Sequence, residues 1–184
     1  MKLGFTMNHG NFISETIVFF TKSVAKKKPY ISHSFPIIDI TRQEKIELAL
    51  SADEILINLI NVDRYRGKKD YSVRLYEIPE INNIWRRQLI NSFNQKVYPH
   101  FELLWFIYRW IRRKINPEWT GKNWFNYSAF CSELTIIALK KAGYSEYFKN
   151  IDPNCTDAIE LENIILKIEG VKLVEEWIKG ERIL

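Results

Sequence analysis

The sequence predicts an α+β fold in which a small antiparallel sheet packs against helices. Three observations carry that expectation. Between Tyr30 and Ile78, short apolar or alternating runs follow one another closely, separated by polar turns. After Pro79 the apolar spacing changes to a helical one. The chain has 184 residues with 46% hydrophobic and 27% charged content, enough for one soluble domain (1–184) with a real core.

Residues 3–23 carry Phe5, Phe12, Ile13, Ile17, Val18, Phe19 and Phe20, and Ser14 is placed to cap a short helix starting near Glu15. Lys26-Lys27-Lys28-Pro29 breaks this pattern as a solvated turn, with phosphate binding as the lesser reading. Tyr30 to Ile40 reads as a strand, and Pro36 costs it a ladder hydrogen bond, which predicts an edge position or a bulge. Thr41 to Lys45 form a turn. In the next strand Ile46, Leu48 and Leu50 face one way while Glu47, Ala49 and Ser51 face the other. Ile55 to Ile60 and Tyr71 to Ile78, separated by the turn Arg66-Gly67-Lys68-Lys69, complete an expected antiparallel meander.

Residues 81–97 have helical spacing around Ile84, Trp85 and Leu89, and Tyr98-Pro99-His100 breaks that helix. The following helix, Phe101 to Lys114, is aromatic and basic together. It fits a core helix with snorkelling arginines, or one lying on an anionic membrane surface through Trp105–Lys114. Asn116-Pro117 ends it, and Trp119 to Phe125 form a loop. From Cys131, Leu134, Ile137 and Ala138 share one helix face, Lys140 and Lys141 suit the negative C-terminal end, and Gly143 suits the stop. Thr156 or Asp157 is placed to cap a helix through Ala158, Leu161 and Ile164, and Val171 to Ile183 is a further short strand or helix.

The formal charge of +5 is uneven: residues 151–184 carry −4 and the first 150 residues +9. A basic body can attract anions, but a solvated surface is the simpler reading, and nucleic acid is not expected as a partner. No apolar run approaches the roughly 20 residues that cross a bilayer. The start of the chain has no signal-peptide core, so a cytoplasmic location is expected. Two cysteines without a Cys-x-x-Cys pair or a Cys/His cluster predict neither a disulfide framework nor a metal, and no cofactor is expected.

Cys131 sits in or just before the first turn of its helix, where the partial positive charge of the N-terminus stabilises a thiolate. The plainer reading is a small buried hydrophobe. A thiol nucleophile needs an imidazole base with a polar group orienting its far nitrogen. Of His9, His33 and His100, His33 is the best placed, at the start of a strand followed by the strand bearing Glu47. His9, His100 and Cys155 read as structural.

Ser32-His33-Ser34-Phe35-Pro36-Ile37-Ile38, then Ile46-Glu47-Leu48-Ala49-Leu50, then Phe130-Cys131-Ser132-Glu133-Leu134 resembles the circularly permuted NlpC/P60 superfamily of papain-like proteins. Gly10 to Thr21 and Thr156-Asp157-Ala158 resemble flanking segments of that group. The resemblance covers most of the chain in order, and its specific motifs are those of the histidine and the cysteine. It implies a permuted papain-like fold with Cys131 as nucleophile, His33 as general base and Glu47, 14 residues on, as the orienting carboxylate. Glu54 and Asp39 are the fallback carboxylates. Tyr127 would help the Cys131 N–H stabilise an oxyanion. The implied activity is that of a cysteine hydrolase acting through a thioester on a peptide, isopeptide or acyl-lipid substrate. Two departures bear on the substrate: Ser34-Phe35-Pro36 stands where members usually have Val-Gly-Ile-like residues, and residues 98–125 form an aromatic-basic insert. Other roles on the same fold are a non-catalytic binding module using that basic aromatic surface, or a lipid acyltransferase.

Overall fold

Lys2–Asn8 (β1), a strand that the apolar pattern did not announce, lies at the centre of the sheet. The computed structural model describes residues 1–22, 28–41, 46–51, 57–79, 81, 84–93, 108, 111–112, 115–116, 131–153 and 156–184. After β1 come helix α1 (Phe12–Thr21), strands β2 (His33–Thr41), β3 (Ile46–Ser51), β4 (Asn58–Asn61) and β5 (Tyr71–Glu77), and helices α2 (Trp85–Phe93), α3 (Cys131–Leu139) and α4 (Ala158–Ile165). Strands β6 (Lys172–Ile178) and β7 (Glu181–Arg182) close the chain. The sheet order is β4-β3-β2-β1-β5-β6-β7, and every neighbouring pair is antiparallel.

The molecule is therefore α+β with an open antiparallel sheet, but the expected meander is only half right. β2, β3 and β4 do follow one another, whereas β5 pairs with β1 instead of β4. β1 escaped prediction because it is buried on both faces, so it shows no polar alternation, and Gly4 interrupts it. That glycine has a reason. A Cβ at Gly4 would lie 2.1 Å from the Phe35 ring, so the side chain of the neighbouring strand occupies the space.

Pro36 sits in a strand flanked on both sides, so the edge alternative is excluded. A bulge lies one residue on, where the β2–β3 register shifts between Ile37 and Asp39. Asn11, not Ser14, caps α1, accepting the Ser14 amide through its side chain. Asp157 caps α4 in a reciprocal arrangement with Glu160. The helix expected over 81–97 starts at Trp85, and the segment from Val171 is strand. Helix α3 passes into a wider turn over Lys140–Tyr144, and Gly143 ends it with φ +108°, its bare Cα packed against Ile81.

One face of the sheet carries the larger core, in which Leu3, Phe5, Tyr76 and Ile78 meet Trp85 and Leu89 of α2, Leu134 and Ala138 of α3 and Leu161 and Ile165 of α4. On the other face Phe35, Ile37, Ala49, Val62, Tyr65, Val73 and Leu75 form a smaller cluster. At the helix side of β5, Arg74 is 1% exposed and fully engaged. Its Nε donates to Glu176 at 2.9 Å, one terminal nitrogen to Glu162 at 2.8 and 2.9 Å, and the other to the Pro29 carbonyl. Tyr76 also donates to Glu162 at 2.7 Å. This cluster ties β5, β6 and α4 to the segment that leads into His33.

Candidate active site

Helix α3 lies across β2, and its placement can be followed bond by bond. The Thr135 hydroxyl donates to the Cys131 carbonyl at 2.8 Å, so its oxygen is left to accept from Ser34 of β2 at 3.2 Å. Ser132 donates to the Thr156 carbonyl at 2.5 Å, anchoring the first turn to the start of the α4 segment. Leu134, Ile136, Ala138 and Leu139 are buried behind them. The N-terminus of α3 is thereby fixed at the end of β2 where His33 begins.

Cys131 and His33, paired on sequence grounds, are brought together: the thiol and the imidazole are hydrogen-bonded. Burial of Cys131, 7% exposed, pushes the thiol toward its neutral form. The charge of His33, its hydrogen bond, and the amides of Ser34 and Ser132 pull the other way and prevail, leaving the thiol pKa below its ordinary value. The Ser132 amide is one of the open donors of the helix N-terminus, so the expected dipole contribution has a named atom.

Among the described residues, the imidazole also meets a hydroxyl. His33 Nε2 lies 2.8 Å from Ser51 Oγ, and Ser51 is fully buried at the end of β3. With Nε2 so engaged, Nδ1 is the nitrogen left for the thiol. Glu47 does not reach His33 and is corrected here. Its Cα is opposite Ile40, seven residues along β2, which at about 3.3 Å per residue is roughly 20 Å from His33. Its carboxylate accepts from Lys2 at 2.6 Å and from Arg66. Burial raises the Glu47 pKa, but these two cations outweigh it and hold it below the usual carboxylate range.

Of the fallback carboxylates, Asp39 pairs with Leu48 through its backbone, six residues from His33, and its side chain lies outside the described residues. Glu54, Tyr127, His100, Cys155, Lys26, Lys27 and most of Trp105–Lys114 also lie outside them. His9 is turned to another partner, with its Nε2 2.8 Å from Ser72 Oγ and its amide donating to the Asp70 backbone carbonyl at 2.7 Å. Burial first, then Lys179, lowers its pKa. Among the described residues no cluster of His, Cys, Asp or Glu could hold a metal, and no helix is long and apolar enough to cross a membrane.

Ser51 was missed, although a signal for it existed. The alternation that put Glu47 on one face of β3 put Ser51 on the same face. In an antiparallel hairpin the residue nearest the free end of one strand meets the free end of the other, so His33 belongs with Ser51. Comparison of the chain with protein-family models, with curated proteins and with solved structures finds no match.

Proposed function

We propose that this chain is a cysteine hydrolase of the permuted NlpC/P60 type, cleaving an amide or ester bond through a thioester on Cys131. The observation that carries the reading is the ordered line from the Cys131 thiol to the His33 imidazole to the Ser51 hydroxyl, at the start of a helix. In the proposed reaction His33 Nδ1 holds the thiol proton, and Sγ attacks the substrate carbonyl carbon. The developing oxyanion is met by the Cys131 amide at the open end of α3. The C–N or C–O bond then breaks as Nδ1 returns the proton to the leaving group. A water, deprotonated by the same nitrogen, hydrolyses the thioester, releasing the acid and restoring the thiol. Ser51 Oγ accepts a hydrogen bond from Nε2–H throughout and keeps the ring turned toward sulfur.

A thiol-directed activity probe tests this. Labelling should occur near neutral pH faster than for a free thiol and should be lost in Cys131→Ala. Labelling that persists in that variant, or that is no faster than a free thiol, overturns the reading.

A second reading concerns the partner. Tyr108, Ile111, Arg112 and Ile115, the described part of the aromatic-basic helix, are exposed, which favours a surface helix over a core one. Such a helix would bring the site to an anionic bilayer and an acyl-lipid substrate. Cleavage of acyl lipids in anionic vesicles but not of peptides is the expected outcome, and peptide cleavage without vesicle binding removes it.

A further inference from the structure

Behind Ser51 stands a residue that has no part in the reaction steps above. Tyr65 caps the short turn after β4, is 1% exposed, and holds its phenol oxygen 3.4 Å from Ser51 Oγ. Its ring stacks on Phe35, with centroids 5.3 Å apart and planes at 20°, and Phe35 in turn lies 5.7 Å from the His33 ring. Tyr71 also packs against it, with centroids 5.2 Å apart. The phenol is thus packed against two rings, with its oxygen toward the hydroxyl that meets His33.

Which way that hydroxyl points decides what His33 can do. If Ser51 donates to Nε2, the neutral ring carries its proton on Nδ1 and cannot take one from the thiol. If Ser51 donates elsewhere, its oxygen accepts an Nε2 proton, Nδ1 is left basic, and the imidazolium formed after proton transfer keeps a partner on both sides.

We propose that Tyr65 is a positioning residue for His33: its phenol oxygen accepts the Ser51 proton and so turns the Ser51 lone pair toward Nε2. This rests on the thiol-hydrolase reading for its catalytic meaning, though not for its geometry. Three described elements lie beside His33: β1 with Thr6, β3 with Ser51 and α3 with Cys131. Among those three residues Cys131 is the titratable one, and its ionisation responds to the protonation of His33. The contact at 3.4 Å is long for O–H···O, so its effect should be small.

The test is Tyr65→Phe, which keeps the stacked ring and removes only the oxygen. The pH dependence of Cys131 alkylation should move to higher pH, with the rate near neutrality falling about three- to tenfold. In a Ser51→Ala background the same substitution should change nothing further, since there is no hydroxyl left to orient. A packing role would persist in that background. In parallel, nitrogen NMR reads the neutral His33 ring in a Cys131→Ala background, where no thiol proton reaches Nδ1. It should show the Nε2–H tautomer with Tyr65 in place and a gain of Nδ1–H when Tyr65→Phe is added. An unchanged tautomer and pH profile overturn the Tyr65 proposal while leaving a reactive Cys131 intact. A slow thiol in the native chain instead defeats the hydrolase reading, and the tautomer in the Cys131→Ala background then decides the Tyr65 proposal by itself.

Discussion

The β2–β3 hairpin has two ends, and on the same sheet face they hold opposite kinds of chemistry. Toward the turn, Glu47 meets Lys2 and Arg66, and Arg66 goes on to Glu175 at 2.6 and 2.8 Å and to Asp63 at 2.8 Å. Each of these charges has an opposite within bonding distance. At the open end, His33 meets a hydroxyl and a thiol. The contrast separates structure from chemistry. Opposite charges in mutual contact fix the geometry of the strands that carry them, which makes this end a clamp. An imidazole set between a neutral hydroxyl and a thiol can exchange a proton with the thiol, which is what a nucleophile needs.

Breaking the open end should have the largest effect on reactivity. His33→Ala removes both the charge and the hydrogen bond that favour the thiolate, and labelling of Cys131 near neutral pH should fall about 100-fold. Stopped-flow alkylation reads this, and an unchanged rate would mean that sulfur is activated by something else. Ser51→Ala should cost less, about tenfold, because the imidazolium keeps its sulfur partner and loses one charge-assisted bond. Its pH profile should move upward with the loss.

Breaking the turn end should leave labelling as it was and show instead in stability. Glu47→Gln leaves Lys2 and Arg66 facing a neutral amide and should lower unfolding stability by about 1–2 kcal/mol near neutral pH. The folded pKa of Glu47 lies below its unfolded value, so its contribution is present above the unfolded pKa. It disappears as pH falls through the folded one. Denaturant melts should therefore show the native chain and the variant converging in acid. A loss of labelling in Glu47→Gln would restore the carboxylate to the site and undo the contrast between the two ends.

Much of this could be read from residue order, and the failures share a physical cause. The helix at Cys131, its glycine stop, the hairpin and the histidine at a strand start are local features with local signals. Pairing is not local. The pattern of β3 placed Glu47 and Ser51 on one face correctly, but the choice between them needed the register, which the hairpin geometry sets and residue type does not. The resemblance pointed to Glu47, which lies at the turn end of the hairpin and not at the end that holds His33. β1 was missed for the converse reason: a central strand buried on both sides, with Gly4 making room for Phe35, loses the alternation by which strands are recognised. Arg74 was equally hidden, since nothing in a single strand shows that its guanidinium will be enclosed by Glu162 and Glu176 from two later elements.

The central claim is that Cys131 is held ready as a thiolate by His33, and ultraviolet titration of thiolate absorbance tests it without requiring a reagent to reach a buried sulfur. The native chain minus Cys131→Ala should show one thiol ionising well below the roughly 8.5 of a free cysteine, and His33→Ala should move that step upward. A difference curve that rises at or above the free-thiol value, and does not respond to His33, would contradict it.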